Sequence, residues 1–183
     1  FGAVLITSWM SAQVVGEEPG FPFTADPLTG CIDVTVDPGQ FTPSVNPGPA
    51  GCAGNTALSP KPDVWVLLNV PSSGVLFLNP QGTIDAGMAA YTFDVITGVY
   101  TLLGCDDDTG PGLMPQLTIT TQAPGTPIYV QLWAYAGGLI SFSFCSSECT
   151  TPATYYPDAD GDGVGSNAAV FTCTPNPTYL TTT

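Results

Sequence analysis

Glycine and proline interrupt this chain so often that long helices have little room to form. The 183 residues include 21 glycines and 19 prolines, which stand between short apolar runs and do not form one low-complexity block. No stretch of about ten or more residues shows a convincing 3.6-residue hydrophobic period. The pattern indicates many short strands joined by turns, and the 44% apolar content is sufficient for one main domain with a proper core.

Short apolar runs bounded by turns predict where the strands lie. The expected strands cover residues 31–36, 64–70, 74–79, 89–95, 98–104, 117–121, 128–135 and 139–144. The run that contains Trp65 is apolar on both faces, as in a central strand that is covered on both sides. In the last two strands the side chains alternate cleanly enough to assign two faces. We expect an all-β fold, an antiparallel β-sandwich with a jelly-roll-like or immunoglobulin-like layout.

The distribution of strands and loops divides the chain into four segments. We expect an apolar N-terminal segment (residues 1–13), a linker and loop-rich lead-in (14–62), the sandwich core (63–149) and a short C-terminal calcium-loop segment (150–183) that continues in a longer protein. The N-terminal segment is too short to span a bilayer as a helix. It resembles the apolar region of a secretory signal without the basic start. The alternative is a retained apolar strand that pairs with this domain or with a neighbouring subunit.

The charged residues exclude several classes of function. Lys61 is the only basic side chain, there is no arginine or histidine, and 15 carboxylates give a net charge of −14. Such a surface repels phosphate backbones and anionic membranes, so we expect no nucleic-acid partner. Without histidine there is no Ser-His-Asp triad and no imidazole ligand for zinc. Paired carboxylates could still hydrolyse glycosides, but the chain has only three glutamates, Glu17, Glu18 and Glu148.

Six cysteines favour disulfides over a zinc site because no two of them form a Cys-x-x-Cys pair. The candidates are Cys31, Cys52, Cys105, Cys145, Cys149 and Cys173. An even number in an acidic, turn-rich chain suits an oxidising compartment, although six cysteines allow fifteen pairings that the sequence cannot choose among. The alternative is that several are free buried thiols. We therefore expect an extracellular or cell-surface location.

A series of short motifs between Cys52 and Cys145 carries a family resemblance. The motifs are Cys52-Ala53-Gly54-Asn55, Asp63-Val64-Trp65, Ser73-Gly74, the run from Asp85 to Tyr91, Gly104-Cys105-Asp106-Asp107, Pro124-Gly125-Thr126 before Tyr129-Val130, and Gly138 to Phe142. In order and spacing they resemble the bacterial pre-peptidase C-terminal domain and its relatives in secreted proteins of Bacteroidetes-type bacteria. The resemblance covers about half of the chain and implies a non-catalytic β-sandwich that accompanies secreted enzymes or adhesins. It departs at Val66, where the family usually has an aromatic residue.

The C-terminal part contains an acidic motif, Tyr-Tyr-Pro-Asp-Ala-Asp-Gly-Asp-Gly-Val-Gly, at residues 155–165. Calcium takes hard oxygen ligands, and carboxylates at positions 1, 3 and 5 of a tight loop converge on one ion while glycine at position 6 permits the sharp turn. Asp158, Asp160, Asp162 and Gly163 fill these places. The motif resembles the Tyr-Tyr-x-Asp-x-Asp-Gly-Asp-Gly repeat of surface proteins and the first half of thrombospondin type 3 or dockerin calcium loops.

This loop is not a complete EF-hand. Position 12 would need a bidentate carboxylate, and here it is Ala169. The remaining ligands must come from the Val164 carbonyl, the region of Ser166, water or a following repeat. The alternative is a solvated acidic turn that binds no ion.

A second acidic turn, Asp106-Asp107-Asp108, follows Cys105. Adjacent carboxylates repel one another, so a cation would relieve them. In the arrangement that the family resemblance implies, Asp85 approaches this turn. We therefore name Asp85, Asp106 and Asp107 as candidate ligands of a second metal, with a merely solvated loop as the alternative.

Tyr129, Trp133 and Tyr135 share one face of their predicted strand. Amphipathic rings of this kind can form a binding face for a sugar or a protein partner. The alternative is that the face lies beneath another layer of the sandwich or beneath the loop of residues 37–62.

Together these features predict a non-catalytic extracellular structural or adhesive module, a subunit or domain of a cell-surface filament or adhesin stabilised by calcium and disulfides. We expect self-association, or contact with neighbouring domains of the same surface protein, and no membrane-spanning segment. The alternative is an accessory module of a secreted hydrolase that binds polysaccharide or protein. Ordered apolar N-terminal residues in a neighbouring chain would favour the first, and an open aromatic groove would favour the second.

Calcium should bind the loop at Asp158–Gly163 with a dissociation constant on the order of 10⁻⁴ to 10⁻³ M, because Ala169 supplies no bidentate ligand. Isothermal titration calorimetry of the full chain measures this uptake. Asp160→Ala should remove it, whereas Asp26→Ala, outside any acidic cluster, should not. Equal uptake after Asp158 and Asp160 are both replaced would contradict the prediction.

Overall fold

The computed structural model of the chain describes residues 14–36, 39–138, 140–149, 153–157, 170–172 and 179–180. All regular elements in these residues are β-strands. They are β1 (Phe23–Thr24), β2 (Cys31–Val36), β3 (Asp63–Asn69), β4 (Leu76–Leu78), β5 (Ala86–Asp94), β6 (Val99–Asp106), β7 (Leu117–Ile119), β8 (Pro127–Ala134), β9 (Ile140–Glu148), β10 (Ala153–Pro157), β11 (Val170–Thr172) and β12 (Tyr179–Leu180).

Most of the strands form a two-layered sandwich. The five-stranded sheet has the order β1-β3-β8-β5-β6, and the four-stranded sheet has the order β2-β9-β4-β7. Their pairings are antiparallel, apart from the short parallel pairing of β1 with β3. The eight strands from β2 to β9 are divided four and four between the sheets, as in a jelly roll. The prediction of an all-β sandwich is confirmed. β10, β11 and β12 form a separate three-stranded sheet.

One hydrophobic core lies between the two sheets, because each sheet turns alternate apolar side chains toward the other. The five-stranded sheet contributes Val64, Val66, Met88, Ala90, Ile128, Val130 and Leu132, and the four-stranded sheet contributes Val34, Leu76, Leu78, Ile119, Phe142 and Phe144. The predicted alternation is confirmed for these two strands at Ile128, Val130, Leu132, Phe142 and Phe144.

The sandwich begins earlier in the chain than residue 63. β2 pairs with β9 along its whole length, from Cys31 opposite Cys145 to Val36 opposite Ile140. Val34 is fully buried in the core between the sheets. β2 is therefore an edge strand of the sandwich, and the loop that follows it is a connection within the domain and not a lead-in before it.

Two strands are longer than their apolar runs indicate. β9 continues to Glu148 because Ser146, Ser147 and Glu148 pair with β4. β5 begins at Ala86, where its small residues pair with β8. Polar or small side chains carry no strong strand pattern, so pairing with a neighbour decides where these strands end.

The described cysteines are all oxidised, as predicted. Cys31 is bonded to Cys145, which joins β2 to β9, and Cys52 is bonded to Cys105, which joins the long loop to β6. Cys149 is also disulfide-bonded. Cys173 lies outside the described residues.

Replacing both Cys31 and Cys145 with serine should lower the free energy of unfolding by about 2–5 kcal/mol, because their bond closes a separation of 114 residues in the unfolded chain. Urea denaturation followed by circular dichroism measures this loss. The protein should still fold, since Ile32, Val34 and the ladder with β9 remain. A midpoint equal to that of the unchanged protein would refute the prediction.

Candidate functional site

The outer face of the five-stranded sheet carries a second apolar cluster, separate from the core between the sheets. Trp65, Ala89, Tyr91 and Trp133 form this cluster, and each is at least nine-tenths buried. Ala50 and Ala53 pack against it from the loop of residues 39–62, which we name the covering loop. The prediction that Trp65 is buried is confirmed, and a loop covers it in place of a third layer of strands.

Trp133 fixes the position of the covering loop. Its indole lies over Gly87, its partner on β5, so closely that a Cβ atom on Gly87 would overlap the ring. The indole Nε1 donates a hydrogen bond of 2.8 Å to the Ala53 carbonyl. Glycine at position 87 therefore leaves space for a ring that holds the loop above it.

Asp63 forms a second attachment between the covering loop and the sheet. Its Oδ1 accepts a hydrogen bond from the Ser44 hydroxyl at 2.7 Å, and its Oδ2 accepts from the Gln131 amide at 2.6 Å and from the Ser44 backbone N–H at 3.2 Å. The Ser44 hydroxyl in turn accepts from Trp65 Nε1 at 2.7 Å, and Tyr91 donates to Gln131 at 2.9 Å. The network joins β3, β5, β8 and the covering loop.

The same burial shifts the acid–base behaviour of this network. Desolvation raises the pKa of the Asp63 carboxyl from 3.8 to about 6, although the hydrogen bonds from Ser44 and Gln131 lower it, and the Glu18 carboxylate raises it slightly further. Desolvation, followed by the charge of Asp63, also raises the pKa of Tyr91. The protein therefore holds a carboxylate where the charged form is costly, and hydrogen bonds offset part of that cost.

Two more links attach the covering loop to the rest of the domain. Glu17 accepts hydrogen bonds from the Thr42 hydroxyl at 2.7 Å and from the Thr42 backbone N–H at 3.1 Å. The Cys52–Cys105 disulfide ties the other end of the covering loop to β6.

The other half of the outer face carries a cluster of aromatic rings that is only partly buried. Tyr100 is central, with ring centroids 4.5 Å from Phe93, 5.5 Å from Tyr129 and 6.1 Å from Trp65. Phe93, Tyr100 and Tyr129 are half-buried, in contrast to the fully covered Trp65. These three rings, which we name the aromatic cluster, extend the apolar face toward β6.

β6 is the edge of the five-stranded sheet beside this cluster, and its apolar side chains are exposed. Val99 is 54% exposed and Leu102 is 46% exposed, and at the tip of the β5–β6 hairpin Val95 and Ile96 are 82% and 92% exposed. No charged residue and no proline occurs between residues 95 and 105. We name residues 95–102 the open edge.

Tyr129, Trp133 and Tyr135, the predicted binding face, lie on one face but in three different environments. Trp133 is buried beneath the covering loop, and Tyr129 belongs to the aromatic cluster. Tyr135 is 42% exposed and lies against Gly54, where a Cβ atom would meet its ring. The three rings therefore do not form one continuous open platform.

Asp106 holds its own turn together. Its Oδ2 accepts from Gln116 N at 2.7 Å and from the hydroxyl and backbone N–H of Thr109 at 2.7 and 3.2 Å. Burial, and then the charges of Asp107, Asp85 and Asp106, raise the pKa of Asp108. Across the part of the chain that the structure describes, no three acidic or cysteine side chains are arranged to hold a metal ion. Asp106 therefore has a structural role in this turn, and metal binding by Asp85, Asp106 and Asp107 stays a prediction from the sequence.

The calcium loop cannot be placed in the fold. Asp158, Asp160, Asp162 and Val164 lie outside the described residues. Calcium binding there remains a prediction from the sequence.

Two features of the outer face, the Asp63 network and the open edge, are not among the sequence predictions. Asp63 stands directly before an apolar run, but this position does not by itself indicate burial, which follows from contacts with Ser44 and Gln131. The uncharged run at residues 95–105 is also visible in the sequence, but only the order of the strands shows that it forms an edge.

Comparison with protein-family models, with curated proteins and with solved structures finds no match for this chain. Among the described residues, no helix is long and apolar enough to cross a membrane.

Asp63→Asn should make stability less dependent on pH. Because the pKa of Asp63 is raised in the folded state, its contribution to stability is fully present below about pH 3.8 and is lost as the pH rises through about 6. The asparagine variant should lack this loss, which amounts to roughly 3 kcal/mol at most. Urea denaturation at several pH values between 3.5 and 7.5 measures the difference.

Asp33→Asn is the control for that experiment, since Asp33 is an exposed aspartate on the outer side of β2. Asp63→Asn should change the slope of stability against pH more than Asp33→Asn does. The same slope in Asp63→Asn as in the unchanged protein would show that the buried carboxylate does not titrate as described.

Proposed function

We propose that this chain is a non-catalytic extracellular structural and adhesive module that assembles through its open edge, as a subunit or domain of a cell-surface filament or adhesin. The observation that supports this proposal most is that β6, an edge strand, has exposed apolar side chains at Val99 and Leu102. An edge strand presents unpaired backbone N–H and C=O groups, which a strand from another chain can pair with.

The other sheet edges are protected in ways that β6 is not. β1 has two residues and β7 has three, so neither offers a long ladder. β2 carries the exposed Asp33, and charges on an edge discourage pairing. β6 has eight residues, and its only charged residue is Asp106 at the far end. A register shift in its pairing with β5 leaves Leu103 as an extra residue, so the regular part of the edge runs from Val99 to Leu102.

Charge also favours contact at this edge. The chain has a net charge of −14, so most of its surface repels a second copy. The open edge itself carries no charged side chain, so two copies can approach along it with less repulsion between carboxylates. The exposed Val95, Ile96, Val99 and Leu102 would gain from being covered, because removing apolar area from water is favourable.

An extracellular location is supported by the disulfides and by the acidic composition. Cys31–Cys145 and Cys52–Cys105 bonds persist in oxidising compartments. The resemblance to pre-peptidase C-terminal domains and the calcium motif of surface proteins point in the same direction. In this proposal calcium would order the C-terminal segment and take no part in a reaction.

A second candidate function is ligand binding at the aromatic cluster. Phe93, Tyr100 and Tyr129 are half-buried and adjoin the covered face, so a sugar ring or an apolar side chain could pack against them. This would make the chain an accessory module for a polysaccharide or protein substrate. A Tyr100→Ala variant that loses binding to a polysaccharide but still assembles would favour this candidate.

Val99→Lys combined with Leu102→Lys should convert assembled protein into monomer, because two charges on the edge oppose strand addition. Sedimentation velocity over a range of protein concentrations, with calcium present, measures the change. Leu113→Lys is the matched control, since Leu113 is as exposed as Val99, at 54%, but lies outside the open edge. Unchanged protein that remains monomeric at every concentration would refute the proposed function.

A further inference from the structure

The five-stranded sheet has exposed apolar side chains at both of its edges. One set lies along the open edge on β6. The other lies beside β1, where Val14, Val15 and Phe21 are 38%, 40% and 43% exposed. β1 and β6 are the two outermost strands of this sheet, so the two sets are on opposite sides of it.

Residues 1–13 join the described chain at the edge beside β1. Just after them, the Gly16 carbonyl accepts a hydrogen bond of 2.8 Å from Trp65 N, and β1 pairs with β3 a few residues later. The backbone of residues 16–25 therefore already occupies this side of β3. Residues 14–16, which directly follow residues 1–13 in the chain, therefore lie on the side of the sheet opposite the open edge.

The composition of residues 1–13 suits an added strand. The sequence Phe-Gly-Ala-Val-Leu-Ile-Thr-Ser-Trp-Met-Ser-Ala-Gln has no charged residue and no proline, and it contains a run of residues with high β propensity. It matches the uncharged character of the open edge. An apolar segment of this length in water would invite aggregation unless another surface covers it.

The segment is poorly placed to cover the open edge of its own copy. Four strand spacings of about 4.8 Å separate β1 from β6, so a crossing takes roughly 20 Å of chain. The segment would also have to pass over the face that the covering loop already occupies. A neighbouring copy has no such restriction.

We propose that residues 1–13 of one copy add as a strand to β6 of the next copy. This inference rests on the proposed function and names the strand that pairs with the open edge. Backbone hydrogen bonds between the segment and β6 supply affinity, and its apolar side chains cover Val99 and Leu102. The five-stranded sheet of each copy gains one strand from its neighbour.

In this proposal each copy donates residues 1–13 and accepts a strand at β6. Because these are two different surfaces of one copy, they determine the symmetry of the assembly. Each copy uses a different surface for each of its two contacts, so the contact is heterologous and copies join head to tail. Such a contact repeats until a ring closes or continues as a filament. Pairing of β6 with β6 would instead be isologous and would stop at a dimer.

Mixing two full-length variants tests the inference. The donor variant carries Val4→Lys and Ile6→Lys, two residues on one face of an extended strand, and the acceptor variant carries Val99→Lys and Leu102→Lys. Each variant alone should be monomeric by sedimentation velocity. An equimolar mixture should form a 1:1 heterodimer, because the intact segment of the acceptor variant adds to the intact β6 of the donor variant and growth then stops.

Other outcomes overturn the inference and leave the proposed function standing. A donor variant that still assembles would indicate β6-to-β6 pairing, and one that assembles more strongly would indicate that the segment covers the edge of its own copy. A mixture without heterodimer would also refute the inference. So would an intact mass of the assembling native protein that begins after residue 13. If unchanged protein never assembles, the proposed function fails as well.

Discussion

A buried carboxylate holds the loop that covers one face of this sandwich. Asp63 is 1% exposed and takes hydrogen bonds from Ser44 on the covering loop and from Gln131 on β8. An unpaired charge in such a position would be costly. Displacement of the covering loop would therefore either expose the Asp63 carboxylate to water or leave it buried without the hydrogen bonds from Ser44. Trp65 and Trp133 depend on the same loop, because among the described residues no layer of strands covers the outer face. The hydrogen-bond network therefore determines which part of the sheet is closed and which part is open.

Much of the fold is readable in the sequence because the strands are apolar and bounded by turns. The alternation of Ile128, Val130 and Leu132 with larger outward side chains identifies both faces of β8 correctly. The pattern does not place β2 in the sandwich, because its partner β9 is more than a hundred residues away. It also ends β9 too early, since polar residues there are held in the ladder by β4 and not by burial.

The candidate functional surface is harder to predict from the sequence, because it depends on contacts between distant segments. The outward face of β8 is predictable, but the covering of Trp133 depends on Ala53 and Gly87, which lie far from it in the chain. The uncharged run around Val99 has no special meaning until the order of the strands places it at an edge. The candidate calcium ligands differ from these surfaces, because their prediction depends only on the spacing of neighbouring residues and not on contacts between distant segments.

The disulfide between Cys31 and Cys145 has a mechanical consequence. It joins β2 to β9, so tension applied to the chain before residue 31 and after residue 145 passes through a covalent bond and bypasses the strands between them. The 114-residue separation would release roughly 400 Å of length if it were pulled straight. The bond prevents release of that length, so a tether built from this chain would stretch only in the segments outside the two cysteines. The strands from β2 to β8 would keep their arrangement under force, whereas β1 and the end of β9 lie outside the bond.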